Sequence, residues 1–510
     1  MRMENIRKHL HIVLLFFWPF FCAMVLLLLT GHKFDIDILA PVWNDEVGWY
    51  VQVDAVKTYG MPLGYNGYNA THAQIGTFGP WGAAVLLPYA LFGKFFGWTL
   101  HSMAIANMFY LGLALSLFGI LTKVGIKQTI WMMGLYACCF ITVGYSLTSM
   151  SEGVRYAAGL ALAGLVVFYE RKTRNDKLVA SYKDGMLLLF TTIYILYAVN
   201  LYLIYALFIP VFCWIFSRRK NLAFRITISL CVTVIVTAGE QMILSMICAP
   251  YSQSAFEKFY SVFKEQGFYQ MVVYIIKNTF TNLETINPPV VLQSADHTLW
   301  LYFIVYIAAT GVAVMAVFRE QSFYILFRAY ILVGLLIGYC TLYTGSGWTL
   351  CRGTNAALLI ATMMLCIEEQ VREKYSKIWI VGLTLIGSIQ IWDYYSAMID
   401  DRMSVAVYEE QILKEKEILS EVIQLSAANG RWDNTIAYYG GCDYGYLSIP
   451  TGAGLNWMSC GGVNENAKYV LIRTGTEDIE TYIQINLNAG HKRIHQDDMF
   501  VVLEKQKIGF

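Results

Sequence analysis

Charge is what this 510-residue chain has least of: 14% of its residues are Asp, Glu, Lys or Arg, against 57% hydrophobic and 15% aromatic. With a mean hydropathy of +0.49, that composition excludes an ordinary soluble domain and reads as a polytopic membrane protein. The formal net charge is only +1, and no basic stripe could neutralise a run of phosphates, so a nucleic-acid partner is excluded too. The cysteines show no zinc-ligand spacing; nine of the eleven fall in or beside apolar runs, where a thiol behaves as a small hydrophobe. Cys442 and Cys460 alone lie in a polar stretch, and whether they pair is left open by the sequence. No internal repeat is evident, as a transporter built from two related halves would require. Gly440-Gly441 and Gly452-Ala453-Gly454 lack the strand-turn-helix setting of a nucleotide site and read as turns.

What is present is a series of apolar runs. Residues 11–30 follow Arg2, Arg7 and Lys8 and are long enough to cross a hydrocarbon core of roughly 30 Å. The run is too long for a signal peptide and lacks a cleavage motif, so it reads as an uncleaved first span with the amino terminus inside. Further spans are expected at 99–121, 129–147, 155–170, 185–199, 201–217, 222–248, 299–318, 323–343, 355–367 and 378–397, which makes about eleven. Residues 79–97 open on Gly79-Pro80 and are interrupted by Pro88; they read as a juxtamembrane helix. That reading puts Lys123, Lys127, the Arg171 to Lys183 group, Arg218 to Arg225, Arg319 and the Arg372 to Lys377 group on the side of the amino terminus. Counted with Arg2, Arg7 and Lys8, these carry more than twice as many cations as the opposite loops before residue 400, in line with the positive-inside bias. Segment 255–278, aromatic with interspersed lysines, reads as an outer helix in the interface.

From about residue 400 the composition changes. An amphipathic helix is expected over 405–425, with strands at 435–439, 469–472, 482–485 and 499–503. The fold class is therefore an all-α polytopic membrane bundle over 1–400, its first outer loop at 31–98, joined to a small extracytoplasmic α/β or α+β domain over 401–510.

The chain is organised around Trp43-Asn44-Asp45-Glu46-Val47-Gly48-Trp49-Tyr50, two adjacent carboxylates among aromatics just beyond the first span. On the expected topology, Glu152 and Arg155 after the third span and Arg352 in the turn Gly345 to Gly353 share its membrane depth. Adjacent carboxylates suit a general base or a metal pair, and an arginine suits a phosphate. Bland readings stand beside these. Asp45 and Glu46 could form a solvated loop, Glu152 and Arg155 an ordinary i,i+3 helix pair, and Arg352 a snorkelling anchor. His72 and Lys57 are further candidates in the same outer loop. Glu240, inside a span, needs a partner or a cavity, and Gln241 or Asn107 is the first expectation.

An acidic pair in the first outer loop, a juxtamembrane helix led by Gly79-Pro80, an odd number of spans and an external terminal domain resemble the GT-C class of integral membrane glycosyltransferases. Asp45-Glu46-Val47 is similar to the acidic motif of the protein O-mannosyltransferase branch. Gly60-Met61-Pro62 through Gly79-Pro80-Trp81 resembles the loop that follows it in bacterial members. The resemblance implies transfer of a sugar, with inversion, from a polyprenyl-phosphate-linked donor to a hydroxyl acceptor on a glycan, lipid or protein. The reaction would take place at the outer face of the plasma membrane, in the cell envelope of a bacterium. Asp45 would activate the acceptor; Glu46 and Glu152 would orient it or hold a divalent metal such as Mg or Mn with Asp45; Arg352 and Arg155 would hold the leaving phosphate. The first loop departs from several bacterial branches in that the prolines and basic residues they carry there have no evident counterpart pattern. Competing readings are a lipid-linked glycan polymerase or ligase, a lipid or glycan transporter or flippase, and a non-catalytic scaffold.

Overall fold

The long apolar run near the amino terminus forms α1 (Arg2–Leu29), in which Pro19 is accommodated. The structure, a computed structural model, describes residues 2–30, 36–41, 44–61, 65–66, 74–75, 84–174, 204–218, 220–247, 255–286, 297–320, 322–342, 347–367, 377–378, 380–382, 384–385, 409–423, 436–439 and 467–506. After α1 come α2 (Asn44–Tyr59), α3 (Leu86–Phe96), α4 (Ser102–Thr122), α5 (Ile126–Ala137), α6 (Phe140–Ser146) and α7 (Glu152–Arg174). The bundle continues with α8 (Ile204–Phe216), α9 (Leu222–Ile247), α10 (Ala255–Ile286), α11 (His297–Arg319), α12 (Phe323–Leu342) and α13 (Gly347–Leu365).

Six of these helices are long and apolar enough to cross a membrane, or seven if α5 and α6, bent by 74° at Cys138–Cys139, make one crossing. The expected eleven is not reached among the described residues. Span 185–199 lies outside them and 378–397 almost wholly so; α8 has 13 residues, and α13 starts on a polar turn. The chain is nonetheless an integral membrane protein. Apolar side chains such as Leu230, Val234 and Ile235 of α9 stand 62%, 63% and 70% exposed, a pattern that only a lipid solvent makes favourable.

The middle of the bundle is α7, packed against α4, α13, α8 and α6. Close approach is built in by glycine: a Cβ on Gly112 of α4 would lie 2.1 Å from the Phe16 carbonyl oxygen of α1. Helix α3 has 11 residues, about 17 Å of rise and short of a crossing, with Pro88 tolerated in its first turn. Helix α10 is longer than expected and changes direction at Gly267, whose φ of 84° favours glycine. Asn278 and Asn282 dock its second half on α12, their amides donating to the Thr341 and Cys340 carbonyls at 2.9 and 2.8 Å.

Two short strands, β1 (Tyr65–Asn66) and β2 (Gln74–Ile75), pair between α2 and α3. Near the carboxyl terminus, β3 (Ile436–Tyr439), β4 (Tyr469–Arg473), β5 (His491–Gln496) and β6 (Phe500–Lys505) form one sheet in the order β3-β4-β6-β5, parallel at β3-β4 and antiparallel elsewhere. Its central strands are apolar on both faces because helices cover both. Tyr469, Leu471, Phe500 and Val502 pack with Leu419 and Ile423 from α14 (Glu409–Val422) and the residue after it. Val470, Ile472, Val501 and Leu503 pack with Ile483 of α15 (Ile479–Asn488). The strand expected at 482–485 is thus corrected to helix. Ile479, Tyr482, Ile483 and Leu487 meet the sheet at helical spacing, and that packing overrides the strand preference of their side chains. Strand β5, polar and at the sheet edge, was not anticipated. Cys442 and Cys460 lie outside the described residues.

Candidate active site

Asp45 and Glu46 lie in the first turn of α2, not in a loop as the sequence suggests. A helix start suits them, because carboxylates there oppose the positive end of the helix dipole. Behind them Val47, Trp49, Tyr50, Val51 and Val53 are buried, which holds the helix against the bundle. Glu46 is fully buried, and its Oε1 accepts a hydrogen bond from the Ser149 backbone N–H at 2.7 Å. Asp45 is partly buried.

Ser149 belongs to a tight turn, Leu147 to Ser151, between α6 and α7, and every residue of that turn is buried. Two of its carbonyls are served by one side chain. The Asn107 amide of α4 donates to Thr148 O at 2.9 Å and to Met150 O at 2.8 Å. The Asn107 Oδ1 in turn accepts from the Tyr89 hydroxyl of α3 at 2.5 Å. Asn107 therefore does not serve Glu240, contrary to expectation; Glu240 is 5% exposed and its Oε1 makes no hydrogen bond among the described residues. Gly153 follows the turn, and a Cβ there would come within 2.5 Å of Asn107. Glycine is what lets α7 begin so close to α4.

The first residue of α7, Glu152, is fully buried. Arg352 of α13 reaches across and donates from Nε at 3.0 Å and Nη2 at 2.5 Å to its Oε1. The alternative of an i,i+3 pair with Arg155 is not what holds this carboxylate oxygen among the described residues; the arginine on it is 200 residues away. Arg352 is held from two more directions, its carbonyl accepting from the Tyr156 hydroxyl at 3.0 Å and its guanidinium lying 5.5 Å from the Tyr145 ring centroid. The glycine-rich turn expected around it is largely the start of α13. Gly353 is glycine for packing, since a Cβ there would overlap Tyr339 at 1.9 Å. Arg155, 1% exposed, lies with its guanidinium 5.5 Å from the Trp49 ring of α2, as a weakly hydrated planar cation can.

These contacts bring Asp45, Glu46, Glu152, Arg155 and Arg352 into one region. Burial pushes the Asp45 carboxyl above its ordinary range; Arg352 opposes the rise, while Glu152 and Glu46 add to it. Lys57 is directed elsewhere, paired with Asp54 at 3.1 Å and 5.7 Å from the Trp98 ring centroid. His72 lies outside the described residues, as do Pro62 and the Gly79-Pro80-Trp81 segment. Glu46 and Glu152 each have an oxygen engaged by a protein donor, and among the described residues no group of three or more His, Cys, Asp or Glu is arranged to hold a metal ion. Asn107, Tyr89, Ser149 and Tyr156 are the supporting residues sequence reasoning missed. Only Asn107 carries a signal, an amide in the middle of an apolar span.

No family model matches the chain, and no curated protein matches it. Two solved structures of ArnT from Cupriavidus metallidurans do, one bound to undecaprenyl phosphate and one in the apo state. Each aligns with a TM-score of 0.50 over 95% of this chain and 97% of its own, at 9% sequence identity. The chain has their fold, and the resemblance to membrane glycosyltransferases holds at that level.

Proposed function

We propose that this ArnT-like chain is a membrane glycosyltransferase that moves a sugar from a polyprenyl-phosphate-linked donor to a hydroxyl acceptor at the outer face of a bacterial plasma membrane. The observation that carries this reading is the convergence of a carboxylate, Asp45, on an arginine, Arg352, that a buried carboxylate already orients. The fold it shares with a protein crystallised with undecaprenyl phosphate supports the donor class.

The chemistry follows from the charges. The donor's phosphate leaves as an anion, and Arg352 neutralises the charge that develops on it. Glu152, bonded to the same guanidinium, is a positioning residue that fixes the direction of its fork. Asp45 accepts the acceptor hydroxyl's proton as that oxygen attacks the anomeric carbon from the side opposite the phosphate, which inverts the centre. Its raised pKa makes it a stronger base than a solvated carboxylate. Glu46 holds the turn before α7 through Ser149 and so sets the distance between α2 and Glu152. Arg155, beside Trp49, adds positive potential for the phosphate of the donor.

On this reading the amino terminus is cytoplasmic, and residues 401–510 form a separate extracytoplasmic domain. The test is transfer of labelled sugar from a panel of polyprenyl-phosphate donors by the purified full chain in lipid, native against Asp45→Asn. Transfer by the native chain and its loss in a folded variant supports both the class and the base. Equal transfer by both removes Asp45 from that role, and no transfer from any donor overturns the class.

A further inference from the structure

A second polar cluster lies at the other end of α7. Glu170, in its last turns, is 4% exposed, unusually deep for a carboxylate. Arg174 Nη2 and Arg218 Nη1 stand 3.3 and 3.6 Å from the same oxygen, Oε1, while the two arginine side chains remain 52% and 44% exposed. Arg225, near the start of α9, is close enough to be attracted by Glu170 and repelled by Arg218. Its guanidinium lies 3.5 Å from the Trp214 ring centroid and its Nη2 donates to the Trp214 carbonyl at 3.0 Å. The Nε of Arg225 is shielded from solvent and makes no hydrogen bond among the described residues. Arg171, on the same turn, is engaged otherwise, donating to the Thr122 carbonyl and the Tyr324 hydroxyl.

Three guanidinium groups thus gather around one carboxylate. Among the described residues a single buried negative charge draws them together and positive charge is in excess, and a second anion would relieve the repulsion between Arg218 and Arg225. The rim says what carries that anion. Trp214, Leu222 and Phe224 are exposed beside the arginines, so the ligand has an apolar body next to its charge. The 23 residues of α7 rise about 35 Å, enough to set this cluster at the membrane surface opposite Glu152.

We propose that Arg174, Arg218 and Arg225 form a binding site for the phosphate of an anionic phospholipid in the leaflet opposite the candidate active site. Arginine forks match phosphate oxygens in pairs, and cationic clusters at this depth attract anionic headgroups. Inorganic phosphate offers the same oxygens but no tail for the apolar rim. The site does not depend on the sugar-transfer reading, and a failed transfer assay leaves it standing.

The experiment is retention of phospholipid by the full chain, moved from vesicles of phosphatidylcholine with phosphatidylglycerol into detergent and read by mass spectrometry of the intact protein. The native chain is expected to keep phosphatidylglycerol over phosphatidylcholine about tenfold. Arg218→Gln/Arg225→Gln is expected to lose most of that preference, while Lys127→Gln, an exposed cation at the start of α5, keeps it. Matching melting temperatures in phosphatidylcholine alone establish that the double variant folds; where it does not, Arg218→Lys, which keeps charge but not the fork, is expected to lower the preference severalfold. Equal retention of the two lipids by the native chain overturns the proposal, as does an unchanged preference in the folded variants. If millimolar inorganic phosphate raises the melting temperature as much as phosphatidylglycerol does, the site belongs to a soluble ion and the lipid assignment falls.

Discussion

Helix α7 carries a buried carboxylate at each end, and the two are solved differently. Among the described residues Glu152 meets one arginine, Arg352, at hydrogen-bond distance, in a pocket closed by Tyr156, Tyr145 and two glycines that admit no side chain. Glu170 meets several arginines at longer range, and these stay half in solvent. The first arrangement is balanced and rigid, and suits chemistry in which a fork must point one way. The second is overcharged and open, and suits the capture of something anionic. The same residue types on one helix therefore take their meaning from how many cations surround the carboxylate and how far they are from water.

The largest effect expected at the Glu152 end is on rate. Asp45→Asn should lower transfer about 10²- to 10⁴-fold, the usual worth of a general base. It should do so without loss of stability. A carboxyl whose pKa is raised on folding holds its proton more tightly in the folded chain, so its contribution is present at low pH and is lost as pH rises through the raised value. The amide removes that loss, and melting temperatures of native and variant chains at acid and neutral pH check the sign. The acid limb of the pH–rate profile should also move to higher pH in the residual activity of Arg352→Gln, because Arg352 is the charge that pulls Asp45 down.

Next in size, Glu152→Gln should destabilise the chain by about 3–5 kcal/mol, the cost of breaking a buried pair from one side. Adding Arg352→Gln should recover part of it, a coupling that a double-mutant cycle in denaturant reads directly. A stability unchanged by Glu152→Gln would erase the contrast between the two ends.

Two glycines of α7 sharpen it. Gly153→Ala should cost about 1–3 kcal/mol, since its Cβ meets Asn107 at 2.5 Å and that side chain is fixed by three hydrogen bonds. Gly164→Ala should cost less, as its nearest neighbour is a Leu121 methyl at 3.2 Å. Smallest of all, Glu170→Gln should change stability by no more than about 1 kcal/mol, because solvent screens half-exposed arginines. Thermal unfolding of all three variants in one lipid gives the ranking.

The sequence made the broad fold legible where hydrophobicity alone decides, as in α4, α9, α11 and α12, whose bounds fall within a few residues of expectation, and in the end of α1, which itself starts nine residues earlier than expected. It misled where a distant contact decides. Asn44 to Tyr59 looks like a polar loop because Asp45, Glu46, Asp54 and Lys57 dominate it, yet the aliphatic and aromatic residues between them pack on the bundle and make it helix. Gly347 to Gly353 looks like a turn, yet Gly353 is small only because Tyr339 occupies the place of a side chain. The residues around Asp45 could be drawn together from membrane depth alone, but their pairing could not. Glu152 has a cation three residues away and uses one 200 residues away, a choice fixed by the start of α13.

That separation has a consequence for biosynthesis. The carboxylate and its arginine are made 200 residues apart, which at 5–20 residues per second is roughly 10–40 s of translation. For that interval Glu152 has left the ribosome and Arg352 does not yet exist, so the amino-terminal helices sit in the membrane with this buried acid still awaiting the arginine it holds in the finished chain. The pair closes only when α13 arrives. It thereby clasps α13 to α7, and a chain halted before α13 lacks that tie.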